Sequence, residues 1–266
     1  GSGRIVPLTS KLTIEGPIIK EKTSFIVAGR TTYSNWILKK VPDDFYKHSR
    51  ASFYDVNLQL THTVNTKNSL YLTGYTSGDQ FNLNNDTNYK YTNNNVNLKW
   101  KHNFNNKLVG VFTGGLDYYK YNVSANKNPV TAYRLKFDIK QYHFRTDFSY
   151  QVNQDHALNF GFNSIHYQLN PGTYQPFHQQ SLVIPDEVPN EQALESAIYL
   201  GDKYTISPKL SLNVGIRYSL FNYLGPRDVY SYIEGLPRTE NNIKDTLRYS
   251  SGKAIGNREF LHTIHQ

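Results

Sequence analysis

The sequence predicts an all-β chain, an antiparallel meander of about ten long strands. Three observations predict it. Apolar and polar residues alternate with a period of two through several separate stretches. The connections between those stretches alternate in length, short then long. No segment shows a convincing helical period with caps, and the nearest, Asn190 to Ala197, reads equally as a loop feeding a strand.

The elements follow in order. Residues 1–10 start Gly1-Ser2-Gly3, with no initiator Met and no charged-then-apolar signal region, so a removed leader or an internal piece of something larger is expected. Strand candidates at 11–18 and 23–37 flank the short turn Ile19–Lys22. In 54–64, Tyr54, Val56, Leu58 and Leu60 oppose Asp55, Asn57, Gln59 and Thr61, and a turn at Asn65–Asn68 leads to a strand at 69–83. In 95–104, Val96, Leu98, Trp100, His102 and Phe104 oppose Asn95, Asn97, Lys99, Lys101 and Asn103. The turn Asn105–Lys107 leads to a strand at 108–123. In 142–152, Tyr142, Phe144, Thr146, Phe148, Tyr150 and Val152 oppose His143, Arg145, Asp147, Ser149 and Gln151. The turn Asn153–His156 precedes a strand at 157–170, and a strand at 193–206 meets the turn Ser207–Lys209. In 210–220, Leu210, Leu212, Val214, Ile216, Tyr218 and Leu220 oppose Ser211, Asn213, Gly215, Arg217 and Ser219. The short turns use Asn, Lys, Asp and Pro, as tight turns require. Long polar links occupy 38–51, 84–92, 124–138, 171–192 and everything after Leu224.

Composition narrows the class. The chain is 38% hydrophobic and 14% aromatic, with 22 Tyr among its 266 residues. Its mean hydropathy is −0.61. No run approaches the ~20 apolar residues of a spanning helix. Cysteine is absent, which removes disulfides, thiolate metal sites and cysteine nucleophiles. The net charge of +8 is scattered, its densest cluster being Lys39-Lys40, so no nucleic-acid partner is expected.

Tight hairpins at one end and long loops at the other are the arrangement of an outer-membrane β-barrel, whose strands are apolar outward and polar inward. The low mean hydropathy is then an average over two opposite faces. The alternative is a soluble antiparallel sandwich or barrel with one wet face. In a barrel, Arg30, Lys99, Arg145, Asp147 and Arg217 fall on lumen-facing positions, because a charge facing lipid near the midplane costs ~2–4 kcal/mol. They line a pathway, contact a plug, or solvate the lumen by pairing with each other. Tyr89, Tyr91, Tyr174, Phe177, Tyr230 and Tyr232 fall in the long links, where aromatic side chains contact ligand or pack the loops together.

Catalytic motifs are missing: no His-Glu-x-x-His, P-loop, Gly-x-Gly-x-x-Gly or Gly-x-Ser-x-Gly occurs. His262 and His265 share the last residues, and coincidence explains them better than a metal site. Asp43, Asp44 and His48 share one long link, so a standalone ten-stranded barrel with a surface hydrolase site is the competing reading.

Several stretches are familiar in series. Leu12-Thr-Ile-Glu-Gly-Pro-Ile18 and Ser24-Phe-Ile-Val-Ala-Gly-Arg-Thr-Thr-Tyr33 resemble the start of the barrel in TonB-dependent outer-membrane receptors of the Bacteroidetes type. So do Ala51-Ser-Phe-Tyr-Asp-Val-Asn57, Ser69-Leu-Tyr-Leu-Thr-Gly-Tyr75, Leu212-Asn-Val-Gly-Ile-Arg-Tyr218 and Gly225-Pro-Arg227. The resemblance runs to about Ile255 and implies a 22-stranded transmembrane barrel around a plug. About ten strands, with neither plug nor TonB-box peptide, make residues 1–255 a partial barrel domain and an open sheet, not a closed cylinder. Residues 256–266 form an atypical tail without the expected returning strand. The resemblance further implies uptake of a bulky nutrient, such as a ferric siderophore, cobalamin or a glycan. It implies neither covalent chemistry nor a cofactor. The implied partners are outer-membrane lipid, the rest of the barrel and its plug, the TonB energising complex acting through the plug, and a surface lipoprotein.

Overall fold

The computed structural model describes residues 1–33, 35–83 and 86–255, apart from the side chains of Asp44, Phe45 and Leu83. The strands are β1 (Ser2–Ile5), β2 (Thr9–Ile19), β3 (Thr23–Thr32), β4 (Arg50–Asn65), β5 (Asn68–Leu83), β6 (Thr87–Asn103) and β7 (Leu108–Ala125). They continue with β8 (Tyr133–Gln151), β9 (His156–Pro176), β10 (Asp186–Glu187), β11 (Glu191–Ser207), β12 (Leu210–Leu224), β13 (Arg227–Tyr232) and β14 (Ile243–Tyr249). Two one-turn helices, α1 (Asn35–Leu38) and α2 (Asp44–Lys47), lie between β3 and β4. No described helix is long and apolar enough to cross a membrane, which says nothing about strands.

Strands adjacent in sequence pair antiparallel from β1 to β9, and the path continues through β11 to β12. Among the described residues no ladder joins β12 back to β1, so the sheet is open, as the strand count leads one to expect. The ten long strands expected are β2 to β9, β11 and β12, and two short strands bring the sheet to twelve. The additions are the short edge strand β1 and the two-residue β10, which pairs only with β9. After Leu224, where one long link was expected, β13 and β14 form a separate two-stranded hairpin. The chain then returns to the sheet: Ile255 N–H donates to Tyr223 O at 2.8 Å.

The short turns are built by asparagine. Asn65, Asn105 and Asn153 each turn a side-chain oxygen back onto the backbone two residues ahead, at 2.8–2.9 Å. Asn105 and Asn153 also accept the third amide, those of Leu108 and His156, at 2.9 Å. This side-chain imitation of a backbone turn explains Asn at the same place in three hairpins. The β2–β3 turn instead places Glu21 in the left-handed region, at φ 61.

Residues opposite each other in an antiparallel ladder point to the same face. Following the registers carries one face from Phe25 and Val27 on β3 through Leu58, Leu72, Leu98, Leu116, Phe144, Phe162 and Ile198 to Val214 and Ile216 on β12. That face is apolar, and among the described residues no second layer covers it. The only buried hydrophobic residues described are Val123, Ala132, Ala193, Ala197 and Leu224. A soluble sandwich would cover this face with a second sheet, and none of the described residues supplies one.

The strands outrun their alternation. β6 starts at Thr87 and β7 reaches Ala125, so the expected link 84–92 shrinks to a few residues and 124–138 loses both ends to strand. In 87–94 both faces carry only Tyr, Asn, Thr or Lys, so hydropathy has no period to reveal the strand, whereas Tyr133, Leu135 and Phe137 alternate with Arg134, Lys136 and Asp138, a strand signal that the link 124–138 concealed.

Candidate functional site

The polar face combines fixed charge near the middle of the strands with aromatic rings at the long-link end. Arg30, Lys99, Arg145, Asp147 and Arg217 all lie on this face by register. Arg30 makes an ion pair with Asp55 at 2.7 Å and stacks its guanidinium 5.0 Å from the Phe53 ring centre. Arg145 donates from Nε and Nη2 to one oxygen of Asp147, at 2.9 and 2.6 Å. The Tyr199 hydroxyl donates to that same oxygen. Lys99 sits 5.8 Å from the Tyr71 ring centre, and Arg217 donates to Ser219 Oγ at 3.3 Å. Pairing offsets part of the cost of holding Arg30, Asp55, Arg145 and Asp147 on one face.

Between these groups lies a closed ring of polar side chains. His143 Nδ1 is 3.1 Å from Asp117, and its Nε2 is 2.7 Å from Asn97 Oδ1. Asn97 donates to Asn95 at 2.6 Å, and Asn95 donates back to Asp117. Glycine makes room for it: a Cβ on Gly115 would run into Asn97 Oδ1 and the His143 ring.

Toward the long-link end the same face becomes aromatic. Phe81 meets Tyr89 at 6.3 Å between ring centres, Tyr91 stacks on Tyr121 at 4.8 Å, and Tyr119 meets Phe137 at 6.2 Å. Tyr133 packs against Tyr174 at 5.1 Å, and Val123 is buried beneath this layer. The ribbon crosses five strands, β5 to β9, which at ~4.8 Å per step spans ~19 Å. Burial, then the hydrogen bond and charge of Tyr91, push the Tyr121 hydroxyl up to about 12. Tyr121 lies beyond the apolar band, where the opposite face carries Lys120 and Asn122.

Of the aromatic residues expected in loops, Tyr89 and Tyr91 lie on β6, Tyr174 on β9, and Tyr230 and Tyr232 on β13. Phe177 follows β9 directly, under Arg134, whose guanidinium is 4.7 Å from its ring centre. The structure thus unites Tyr89, Tyr91 and Tyr174 in the ribbon and leaves Tyr230 and Tyr232 on the separate hairpin. Sequence reading missed Phe81, Tyr119, Tyr121, Tyr133 and Phe137, although Tyr119 and Tyr121 at alternate positions of β7 were a usable signal. Helix α2 separates Asp43 from the exposed His48 in sequence, and the side chain of Asp44 lies outside the described ones. His262 and His265 also lie outside the described residues.

Solved structures share this fold. The copper transporter OprC superposes with a TM-score of 0.64 at 10% identity, covering 82% of this chain and 35% of its own. The ferripyoverdine receptor of the outer membrane of Pseudomonas aeruginosa gives 0.61 at 13%, covering 91% and 37%. The ferric preacinetobactin receptor BauA from Acinetobacter baumannii gives 0.59 at 9%, covering 81% and 39%. The chain therefore spans little more than a third of the length of these three proteins. No curated protein matches it in sequence. The family model described as "TonB dependent receptor-like, beta-barrel" matches residues 33–246, and the chain belongs to that family of β-barrels.

Proposed function

We propose that this segment is part of the wall of an outer-membrane receptor that imports a bulky nutrient, driven by TonB through a plug. The polar face is then the lumen, and the apolar face meets lipid. Residues 1–255 are its barrel portion, and residues 256–266 are an atypical tail. The observation that carries the reading is the aromatic ribbon above a charge-paired wall, on a sheet whose other face is apolar and uncovered. A ligand that touches Phe81 and Tyr174 together spans ~19 Å, which suits a siderophore complex, cobalamin or an oligosaccharide better than a bare ion. Tyr89, Tyr91, Tyr174 and Phe177 make first contact with ligand at the mouth, and Tyr230 and Tyr232 do so from the hairpin. Arg30, Lys99, Arg145, Asp147 and Arg217 line the pathway. No covalent step is assigned to any residue, and a surface lipoprotein over the mouth is the remaining proposed partner.

The test is uptake by cells that express the full protein. Radio-iron ferric siderophores, copper, labelled cobalamin and fluorescent oligosaccharides are offered in turn, with and without the proton-motive force. Energy-dependent uptake of one bulky probe, reduced at least about tenfold by Tyr91→Ala with Tyr121→Ala, is expected. Uptake that is independent of energy, or unchanged in the double variant, overturns the reading.

A further inference from the structure

We propose that four lysines on the outward face of β6, β7 and β8 form a docking site for the phosphate groups of outer-leaflet lipid headgroups. This rests on the reading of the apolar face as the lipid-facing one.

The registers place them together. Lys90 and Lys136 share one row, with Asn122 between them. Lys120 stands one row nearer the middle of the sheet, opposite Thr92 and Asp138. Lys140 stands one row further, opposite Tyr118 and Gln168, with Nζ 5.5 Å from the centre of the Tyr118 ring. All four are on the face that carries Val96, Leu116 and Tyr142 in the next row down. The cluster covers about 10 Å across the strands and about 14 Å along them.

Its height and isolation argue for a partner. The row below holds Tyr142 and His166, stacked at 6.2 Å between ring centres, the kind of amphipathic rings found at a membrane interface. The lysines therefore begin at headgroup level. None of them takes part in an ion pair within 4.0 Å among the described residues. Asp138 shares the patch but accepts from Asn170 at 3.4 Å, so the patch keeps an excess of positive charge. In the same three rows the neighbouring strands are uncharged: Gln80, Gly78 and Thr76 on β5, and Thr173, Asn170 and Gln168 on β9. A rim that needed only water would be served by those amides and hydroxyls everywhere. Concentrating like charges on three adjacent strands is repulsive, and an anion between them reverses the sign. Lysine ammonium groups bind phosphate as flexible point charges.

The experiment uses the full protein, extracted from outer membranes in a non-ionic detergent and analysed by native mass spectrometry for retained lipid. Bisphosphorylated lipid A, its dephosphorylated form, phosphatidylglycerol and inorganic phosphate are then added back separately. The quadruple variant K90Q/K120Q/K136Q/K140Q is compared with K11Q/K101Q/K203Q, whose lysines lie on the opposite face. The expected result is retention of phosphorylated lipid by the wild type and by the opposite-face variant, and a loss of about tenfold or more in the quadruple variant. Equal retention in all three proteins overturns the proposal. So does equal binding of dephosphorylated lipid, or a preference for free phosphate or an acidic protein. Heat-modifiable migration on gels separates the failures: a quadruple variant that folds and transports but binds lipid normally refutes only the lysine site. A full protein that never enters the membrane refutes the barrel reading as well.

Discussion

Exchanging Ile216 and Arg217 tests the two-faced sheet without changing composition. On β12 the outward positions run Leu210, Leu212, Val214, Ile216, Tyr218 and Leu220, and Ile216 is 73% exposed. At ~3.3 Å per residue and a tilt of ~45°, the stretch from Leu210 to Leu220 is ~23 Å tall, close to the ~25 Å apolar band of a membrane barrel. Ile216 then lies within about 3 Å of its midplane. Ile216→Arg with Arg217→Ile points the guanidinium at hydrocarbon there, at a cost of ~2–4 kcal/mol. That is a ~30- to ~800-fold shift in the folding equilibrium. Arg217→Ile alone loses only the 3.3 Å contact to Ser219, so a change within ~1 kcal/mol is expected. The assay is equilibrium unfolding of the full protein in phospholipid vesicles, followed by tryptophan fluorescence. If the exchange costs no more than the single change, the apolar face is not in lipid, and the two-face argument fails.

Two further outcomes follow from local geometry. Asn105→Ala removes the acceptor for the amides of Lys107 and Leu108, and should destabilise the hairpin by ~0.5–1.5 kcal/mol, with Asn105→Asp restoring most of it, measured in the same unfolding assay. Tyr121 should ionise later than other tyrosines: its hydroxyl is raised from 10.0 to about 12 in the folded protein, so the folded state holds a proton that the unfolded chain has released between those values. The contribution of Tyr121 to stability is therefore intact below pH 10 and falls as pH rises toward about 12, a high-pH component of tyrosinate absorbance that Tyr121→Phe should remove.

What the sequence made legible was whatever depends on one face being wet and the other dry. Val96 to Phe104, Tyr142 to Val152 and Leu210 to Leu220 announced their strands because each alternates across such a boundary. Past the boundary the rule loses its cause. Tyr89-Lys90-Tyr91-Thr92 is strand, but each of its faces carries polar atoms, tyrosine hydroxyls on one and Lys and Thr on the other, and the pattern reads as a link. The same loss hid β13 and β14, whose exposed Arg227, Asp228, Lys244 and Arg248 show no hydropathy period. The face on which Arg30, Lys99, Arg145, Asp147 and Arg217 lie was legible because a half-dry sheet accommodates charge on one side only. The ribbon was legible only in part, since Tyr91 and Tyr121 are 30 residues apart in sequence and only the register of β6 with β7 brings them together.

The two faces exchange roles with height, which supports the proposed passage from lipid to water more than either pattern alone. Along the lower part of the sheet the outward face carries the stacked aromatics: Trp100 lies 5.0 Å from Phe112, and Phe148 5.1 Å from Phe160, while charge stays on the polar face. The exception, Asp202, sits toward the short-turn end and is held by His156 at 2.6 Å. Above the row of Tyr142 the order reverses: stacked rings, Tyr91 on Tyr121, move to the polar face, and Lys90, Lys120, Lys136 and Lys140 appear on the outward one. A soluble sheet has no reason to change sides partway along its strands, because water bathes it equally throughout. A sheet crossing from hydrocarbon into headgroups and then water does, since an outward charge that costs ~2–4 kcal/mol at mid-height becomes nearly free at the interface. Identical substitutions on β8 should therefore differ by their row: Phe144→Lys should disrupt the fold, and the native Lys140, four residues away on the same face, shows that a cation is accommodated there.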